Sequence, residues 1–182
     1  IIDLFPKAVT KNIDYIIFGD FDFLRKKNYN ASYKDGAIYV LNNQEGNADI
    51  LDDIVHEIGH SVEDNHQDLV YGDGALEMEF LKKREILRKE FSKEGIEVPE
   101  DVMSNPDYDQ NLDMFFSEKV GYPRMTAIVQ GIFYSPYAAT SLREYFANGF
   151  EAHYYHRDVY LQKVSPVLYD KISKLEELHN ET

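Results

Sequence analysis

The pentapeptide HEIGH places two histidines, His56 and His60, four residues apart, with Glu57 beside the first of them. On a helix with about 3.6 residues per turn, side chains four positions apart share a face, so both imidazoles can reach one ion. A glutamate beside such a pair can take a proton from a water molecule whose pKa the metal has lowered to about 7. The pattern predicts a hydrolase with one zinc ion per chain, held by His56 and His60, and Glu57 as its general base.

The residues around this motif favour a helix from Asn47 onward. Asn47 is a suitable cap, and apolar residues then recur at helical spacing. These residues are Ile50, Leu51, Ile54, Val55, Ile58 and Val62. The two histidines are therefore expected on an amphipathic helix that packs against the core.

His66 is one candidate for the third metal ligand. It stands six residues after His60, the spacing of the third histidine in the metzincin pattern HExxHxxGxxH. That pattern has a glycine where this chain has Glu63, and the glycine lets the chain turn its last histidine back to the metal. A continuing helix would carry His66 about 9 Å along the helix axis from His60. A metzincin-type protease that uses His66 is thus a weaker alternative.

Glu144 is the stronger candidate. It lies in LREYFANGFEAHYY, a predicted helix whose aromatic residues Tyr145, Phe146 and Phe150 would pack against the histidine helix. A glutamate on such a buried face needs a partner, which a metal with two histidines would provide. The competing donors in the same segment are Glu151, His153 and His156.

Composition limits the other possibilities. The 182 residues are 43% hydrophobic, which predicts a single domain over 1–182, and the net charge of -14 argues against a nucleic-acid partner. Cysteine is absent, so thiolate ligands and cysteine nucleophiles are excluded. No apolar run reaches the roughly 18 residues that a membrane span needs. The first residue is Ile, which favours a mature or excised piece.

The order of predicted elements indicates an α+β fold. Two strands are predicted at 13–20 and 36–43, with the turn YKDG before the second. Helices dominate afterwards, since helical patterns cover 74–95, 109–119, 122–134 and 140–156, and a last helix follows Pro166 with Ser165 as its cap. A loop is expected at 98–109. The fold class is therefore α+β, with a small N-terminal sheet and a mainly helical C-terminal half.

Four segments together resemble the gluzincin metalloproteases related to the catalytic domain of anthrax lethal factor and to the secreted Pro-Pro endopeptidases. They are HEIGHSVED, EYFANGF, SPYAATSLRE and SPVLYDKI, and the resemblance covers 54–178 with these segments in the family's order. The resemblance implies a zincin-like fold, an extracellular protein or a domain of a larger toxin or assembly protein, and a protein or peptide substrate. It implies His56, His60 and Glu144 as zinc ligands, Glu57 as base, and Tyr137 as the hydroxyl that stabilises the oxyanion.

The chain departs from the family at Asn148, where the motif has a second acidic residue one turn after the ligand. We expect Asn148, Glu63 or Asp64 to be the outer hydrogen-bond partner of a ligand histidine. A catalytically weakened, lethal-factor-like binding module is the alternative function that this departure leaves open.

The strand that directly precedes the histidine helix is the expected substrate-binding strand. By analogy with zincins, which bind extended peptides along a sheet edge, Ala37, Ile38, Tyr39 and Val40 are predicted to form that edge. The acidic surface favours basic peptides.

Overall fold

A computed structural model describes residues 5–44, 46–157 and 159–180. It contains a small sheet of three strands, β1 (Tyr15–Gly19), β2 (Ala31–Lys34) and β3 (Ala37–Leu41). The helices are α1 (Lys7–Thr10), α2 (Asp22–Lys27), α3 (Asn47–Asn65), α4 (Gln67–Tyr71), α5 (Ala75–Lys93), α6 (Glu100–Ser104), α7 (Gln110–Met114), α8 (Tyr122–Val129), α9 (Leu142–Tyr154), α10 (Tyr160–Val164) and α11 (Pro166–Asn180). The predicted α+β class is confirmed.

The sheet has the order β1-β3-β2, so β3 is the central strand. It pairs in parallel with β1 and antiparallel with β2. Asp35 and Gly36 connect β2 to β3, and both have positive φ, as a two-residue hairpin turn of type I′ requires. The predicted turn is confirmed, but β2 itself was not predicted, since its four residues, ASYK, are short and partly polar.

The histidine helix α3 packs against α9, and Gly59 makes the close approach possible. A methyl group at Gly59 would lie 3.2 Å from Cβ of Phe150 and 3.3 Å from Cα of Ala147. These separations are shorter than ordinary van der Waals contacts, so a larger side chain would push the two helices apart. The glycine between His56 and His60 therefore brings the helix of Glu144 against the helix of the histidines.

Helix α5 is buried more deeply than its charged sequence predicts. Phe80 and Leu87 face the core as expected, but Lys83 and Arg84 are buried as well. Lys83 Nζ donates to the carbonyls of Ile132 and Val164, both at 2.5 Å. Arg84 likewise donates to the carbonyls of Ala139 and Thr140, so backbone oxygens accept from each buried cation.

Four further expectations need correction. The predicted loop at 98–109 contains helix α6, and the helix predicted at 122–134 ends at Val129. The stretch predicted as one helix at 109–119 consists of α7 followed by a π-helical segment, Phe115–Gly121. At the start of α11, the carboxylate of Glu79, rather than Ser165, accepts the amides of Val167 and Leu168.

Within the part of the chain that the structure describes, no helix combines the length and the apolar character that crossing a membrane demands.

Candidate metal centre

Two histidines of α3 and one glutamate of α9 meet at the base of a cleft. Nε2 of His56 lies 2.9 Å from Oε2 of Glu144, and Nε2 of His60 lies 3.5 Å from the same oxygen. The imidazole centroids are 5.0 Å apart, with their planes at 81°. The three residues that the sequence suggested as ligands are therefore brought together, from positions 88 residues apart.

The first turn of α9 fixes the position of Glu144. Ser141 has an extended backbone, and its hydroxyl accepts the amide of Glu144 at 3.1 Å, as an N-terminal cap does. Because the carboxylate is in the first helical turn, the helix dipole also favours its negative charge.

The ionisation of this cluster follows from its geometry. Burial acts to lower the pKa of His56, but hydrogen bonds to Glu144 and Glu151 outweigh burial and raise it to about 10. For His60, burial is likewise outweighed by Glu144 and Glu63, and its pKa rises to about 9. Burial acts to raise the pKa of Glu144, but hydrogen bonds to the two histidines hold it well below its usual range. Without a metal, the cluster holds protons between the imidazoles and the carboxylate.

The donor set fits a divalent transition metal such as zinc. Two imidazole nitrogens and a carboxylate oxygen face one another, and these are ligand types that zinc takes in catalytic sites. The carboxylate of Glu57 is also near, since donor atoms of His56, Glu57 and His60 all lie within 4.8 Å of one another. Both Nε2 atoms lie nearest the Oε2 of Glu144, whereas an oxygen of Glu57 is hydrogen-bonded to the sheet.

Glu57 is hydrogen-bonded to strand β2. Its Oε2 accepts the backbone amide of Tyr33 at 2.6 Å. This contact holds the buried carboxylate between the histidines and the edge of the sheet. Sequence reasoning had no signal for Tyr33, because the contact depends on where β2 passes the helix.

Each histidine has a second carboxylate at its Nδ1. Glu63 Oε2 lies 3.0 Å from Nδ1 of His60, and Glu151 Oε2 lies 3.5 Å from Nδ1 of His56. Asp64, by contrast, pairs with Arg143 at 2.8 Å. Such outer carboxylates orient a ligand histidine and make it more basic.

Asn148 has a different partner from the one expected. Its Oδ1 accepts the hydroxyl of Ser135 at 2.6 Å, and that hydroxyl oxygen in turn accepts the amide of Ala138 at 3.2 Å. Tyr137 lies between Ser135 and Ala138 in the chain and begins a short 3₁₀ turn (Tyr137–Ala139). Its ring centroid is 6.0 Å from that of His56. Burial raises the pKa of Tyr137, so its hydroxyl stays protonated at neutral pH.

Of the competing donors, Glu151 lies behind His56, and the other histidines have partners of their own. His153 is 2.9 Å from Glu176 on α11. His156 Nε2 is 3.1 Å from Glu151, and these two residues form a further group with Asp52 whose donor atoms lie within 4.8 Å of one another. His66 follows the last residue of α3 and is not among the described residues that line the cleft.

The cleft above the histidines has a volume of about 1110 Å³. Residues 31–33 of β2 form part of its wall, whereas β3 lies between β1 and β2 and has both edges paired. The predicted substrate edge at Ala37, Ile38, Tyr39 and Val40 is therefore wrong. The edge strand at the cleft is β2.

Comparisons with protein-family models, with curated proteins and with solved structures gave no match for this chain.

Proposed function

We propose that this chain is a zinc-dependent endopeptidase with a zincin-like fold. His56, His60 and Glu144 would hold the metal. The observation that carries the proposal is the convergence of two histidine Nε2 atoms on one carboxylate oxygen, beside the second carboxylate of Glu57. A bound zinc ion would supply Lewis acidity, which polarises a carbonyl and acidifies water.

Glu57 is the proposed general base. It takes a proton from the attacking water and returns it to the leaving nitrogen as the peptide bond breaks. The amide of Tyr33 orients the carboxylate for this transfer, because it occupies Oε2 and leaves Oε1 for the water. Tyr137 donates its hydroxyl proton in a hydrogen bond to the oxyanion of the tetrahedral intermediate. Its raised pKa suits a donor that must stay protonated.

A polypeptide substrate is supported by the cleft and by strand β2. In an antiparallel pair, backbone groups of alternate residues point toward and away from the partner strand. The amide of Tyr33 points away from β3, to Glu57, so the backbone groups of Ala31 point the same way, toward the cleft. An extended peptide can pair with this edge. Carboxylates outnumber lysine and arginine side chains along the cleft, which favours basic substrates.

The experiment that tests the proposal begins with metal content. We would measure zinc by plasma emission spectrometry in wild type, Glu144→Ala and Glu57→Gln, purified without a histidine tag. We expect one zinc per chain in wild type and Glu57→Gln, and loss of zinc in Glu144→Ala. In a peptide-library assay, Glu57→Gln should lose about 10² to 10⁴ in rate. The control is Glu85→Gln, an exposed glutamate paired with Arg88 on α5, which should behave as wild type.

Each other result points to a different function or ligand. Full zinc in Glu144→Ala would instead assign the third ligand to Glu57 or Glu151, whose carboxylates also lie near the histidines. If the wild type contains no zinc and its activity does not depend on Glu57, the proposal of a protease is overturned. That result would favour a binding module.

A further inference from the structure

Ser135 links helix α9 to the turn that carries Tyr137. Its hydroxyl donates to Oδ1 of Asn148 and accepts the amide of Ala138, the residue that follows Tyr137. One hydroxyl thus uses both its donor and an acceptor site in a bridge between a helix and a loop. The bridge is at the beginning of the turn, two residues before Tyr137.

The other end of the same turn is held by Arg84. This buried guanidinium donates from Nε to the carbonyl of Ala139 at 2.9 Å and from Nη2 to that of Thr140 at 2.6 Å. Tyr137 therefore lies between two anchors, a buried cation after it and the Ser135 bridge before it. The bridge contacts α9 at Asn148, whereas Arg84 holds the two residues that lead from the turn into the cap of α9.

Asn148 stands four residues after Glu144 on α9 and is buried, with 8% of its surface exposed. Four residues of helix span about 6 Å, so the helix keeps the carboxylate of Glu144 and the amide of Asn148 at a constant separation. Any group tied to Asn148 is therefore kept in register with Glu144.

We propose that Asn148 is a positioning residue that holds Tyr137, through Ser135, in register with the histidine and glutamate cluster. The catalytic meaning of this role rests on the proposed function, although the tether is a property of the fold. A neutral amide suits the position, because it accepts the serine hydroxyl without adding a second buried negative charge one turn from Glu144. Asn148 thus acts on the tyrosine turn rather than on a ligand histidine.

The first test observes Tyr137 directly and needs no catalysis. The chain would be labelled with 3-fluorotyrosine, and the fluorine resonance of Tyr137 assigned by its loss in Tyr137→Phe. We expect this resonance to shift or broaden in Ser135→Ala and in Asn148→Ala. It should stay near its wild-type position in Ser135→Thr, which keeps the hydroxyl of the bridge. The matched control is Ser104→Ala, since Ser104 is exposed and its hydroxyl donates to a carbonyl of its own helix.

The second test is kinetic. Ser135→Ala should lower kcat by about 10- to 100-fold with KM and zinc content unchanged, the size of effect that a small misplacement of a catalytic group causes. The double variant Ser135→Ala/Tyr137→Phe should be no slower than Tyr137→Phe alone, because the serine acts through the tyrosine.

The outcomes separate the two proposals. An unchanged Tyr137 resonance in both Ser135→Ala and Asn148→Ala overturns the tether, whether or not the chain cleaves peptides. Additive losses in the double variant overturn it as well. A chain that shows the expected resonance shift but neither binds zinc nor cleaves peptides supports the tether and contradicts the proposed function.

Discussion

The two histidines share an inner partner, Glu144, but differ in what lies behind them. Behind His60, Glu63 is almost fully buried, with 2% of its side chain exposed. It also accepts the hydroxyl of Tyr71 and lies 3.1 Å from Nε of Arg143 at both oxygens. Its two oxygens are thus shared among three donors.

Behind His56, the arrangement is more open. Glu151 is 3.5 Å from Nδ1, its side chain is 17% exposed, and its other partner is the exposed His156. Asp52 and Asp53, on the same side, each have a buried carboxylate oxygen without a hydrogen-bond partner among the described residues. Burial raises the pKa of Asp53 to about 6. His60 is thus held by the shorter contact to the more buried carboxylate, and His56 by the longer contact to the more exposed one.

The largest expected effect tests Glu144, the carboxylate that His56 and His60 share. In the metal-free protein, both histidines have raised pKa values, so their stabilisation is fully present below pH 6.5 and is lost as the pH rises through about 9 to 10. Glu144 has a lowered pKa, so its contribution is present above its ordinary value of 4.5 and is lost in acid.

We therefore expect the metal-free wild type to lose more stability than Glu144→Gln between pH 6.5 and pH 10. The difference in Tm should be at least about 4 °C, which corresponds to about 1 to 2 kcal/mol for a chain of this size. Thermal unfolding with a chelator, followed by circular dichroism in both proteins, measures it. Parallel pH profiles would show that Glu144 does not hold the protons of the histidines.

The next largest effect concerns Glu63, the buried carboxylate behind His60. Glu63→Gln removes the negative charge that faces His60 and Arg143, so zinc affinity should fall about 10- to 100-fold, as it does when the outer carboxylate of a ligand histidine is lost. Competition with a chromophoric chelator measures the affinity. The control is Asp64→Asn, which also removes a partner of Arg143 but leaves Glu63 against His60. Equal losses in both variants would assign the effect to Arg143 rather than to the histidine.

The surroundings of the two histidines also show which parts of the candidate site can be predicted from the sequence. His56, Glu57 and His60 were predictable because a helix converts their spacing into one face, and Glu63 follows at the same periodicity. Glu144 was ranked first because an aromatic helix had to pack against α3. Three contacts were not predictable: Glu151 with His56, Ser135 with Asn148, and Tyr33 with Glu57. Each of them depends on how separate elements pack against one another.

Two features do not follow from the sequence for similar reasons. The sequence predicts β3 as an edge strand because β2, its hairpin partner, is too short and too polar to be recognised. The burial of Lys83 and Arg84 does not follow from the charged sequence of α5, because the carbonyls that accept both cations come from distant segments of the chain. A charged residue is recognised as buried only when the backbone groups that satisfy it are known.

The smallest expected effect concerns Glu151, the more exposed carboxylate behind His56. Glu151→Gln keeps an oxygen that can accept from His56 but removes the charge, and the contact is already long at 3.5 Å. The loss of zinc affinity should be less than about tenfold, below that of Glu63→Gln, in the same chelator competition. His156→Ala, which removes only the exposed partner of Glu151, should change the affinity by less than about twofold, because exposed ion pairs contribute little. A loss in Glu151→Gln as large as in Glu63→Gln would reverse the comparison, since the exposed carboxylate would then hold its histidine as firmly as the buried one.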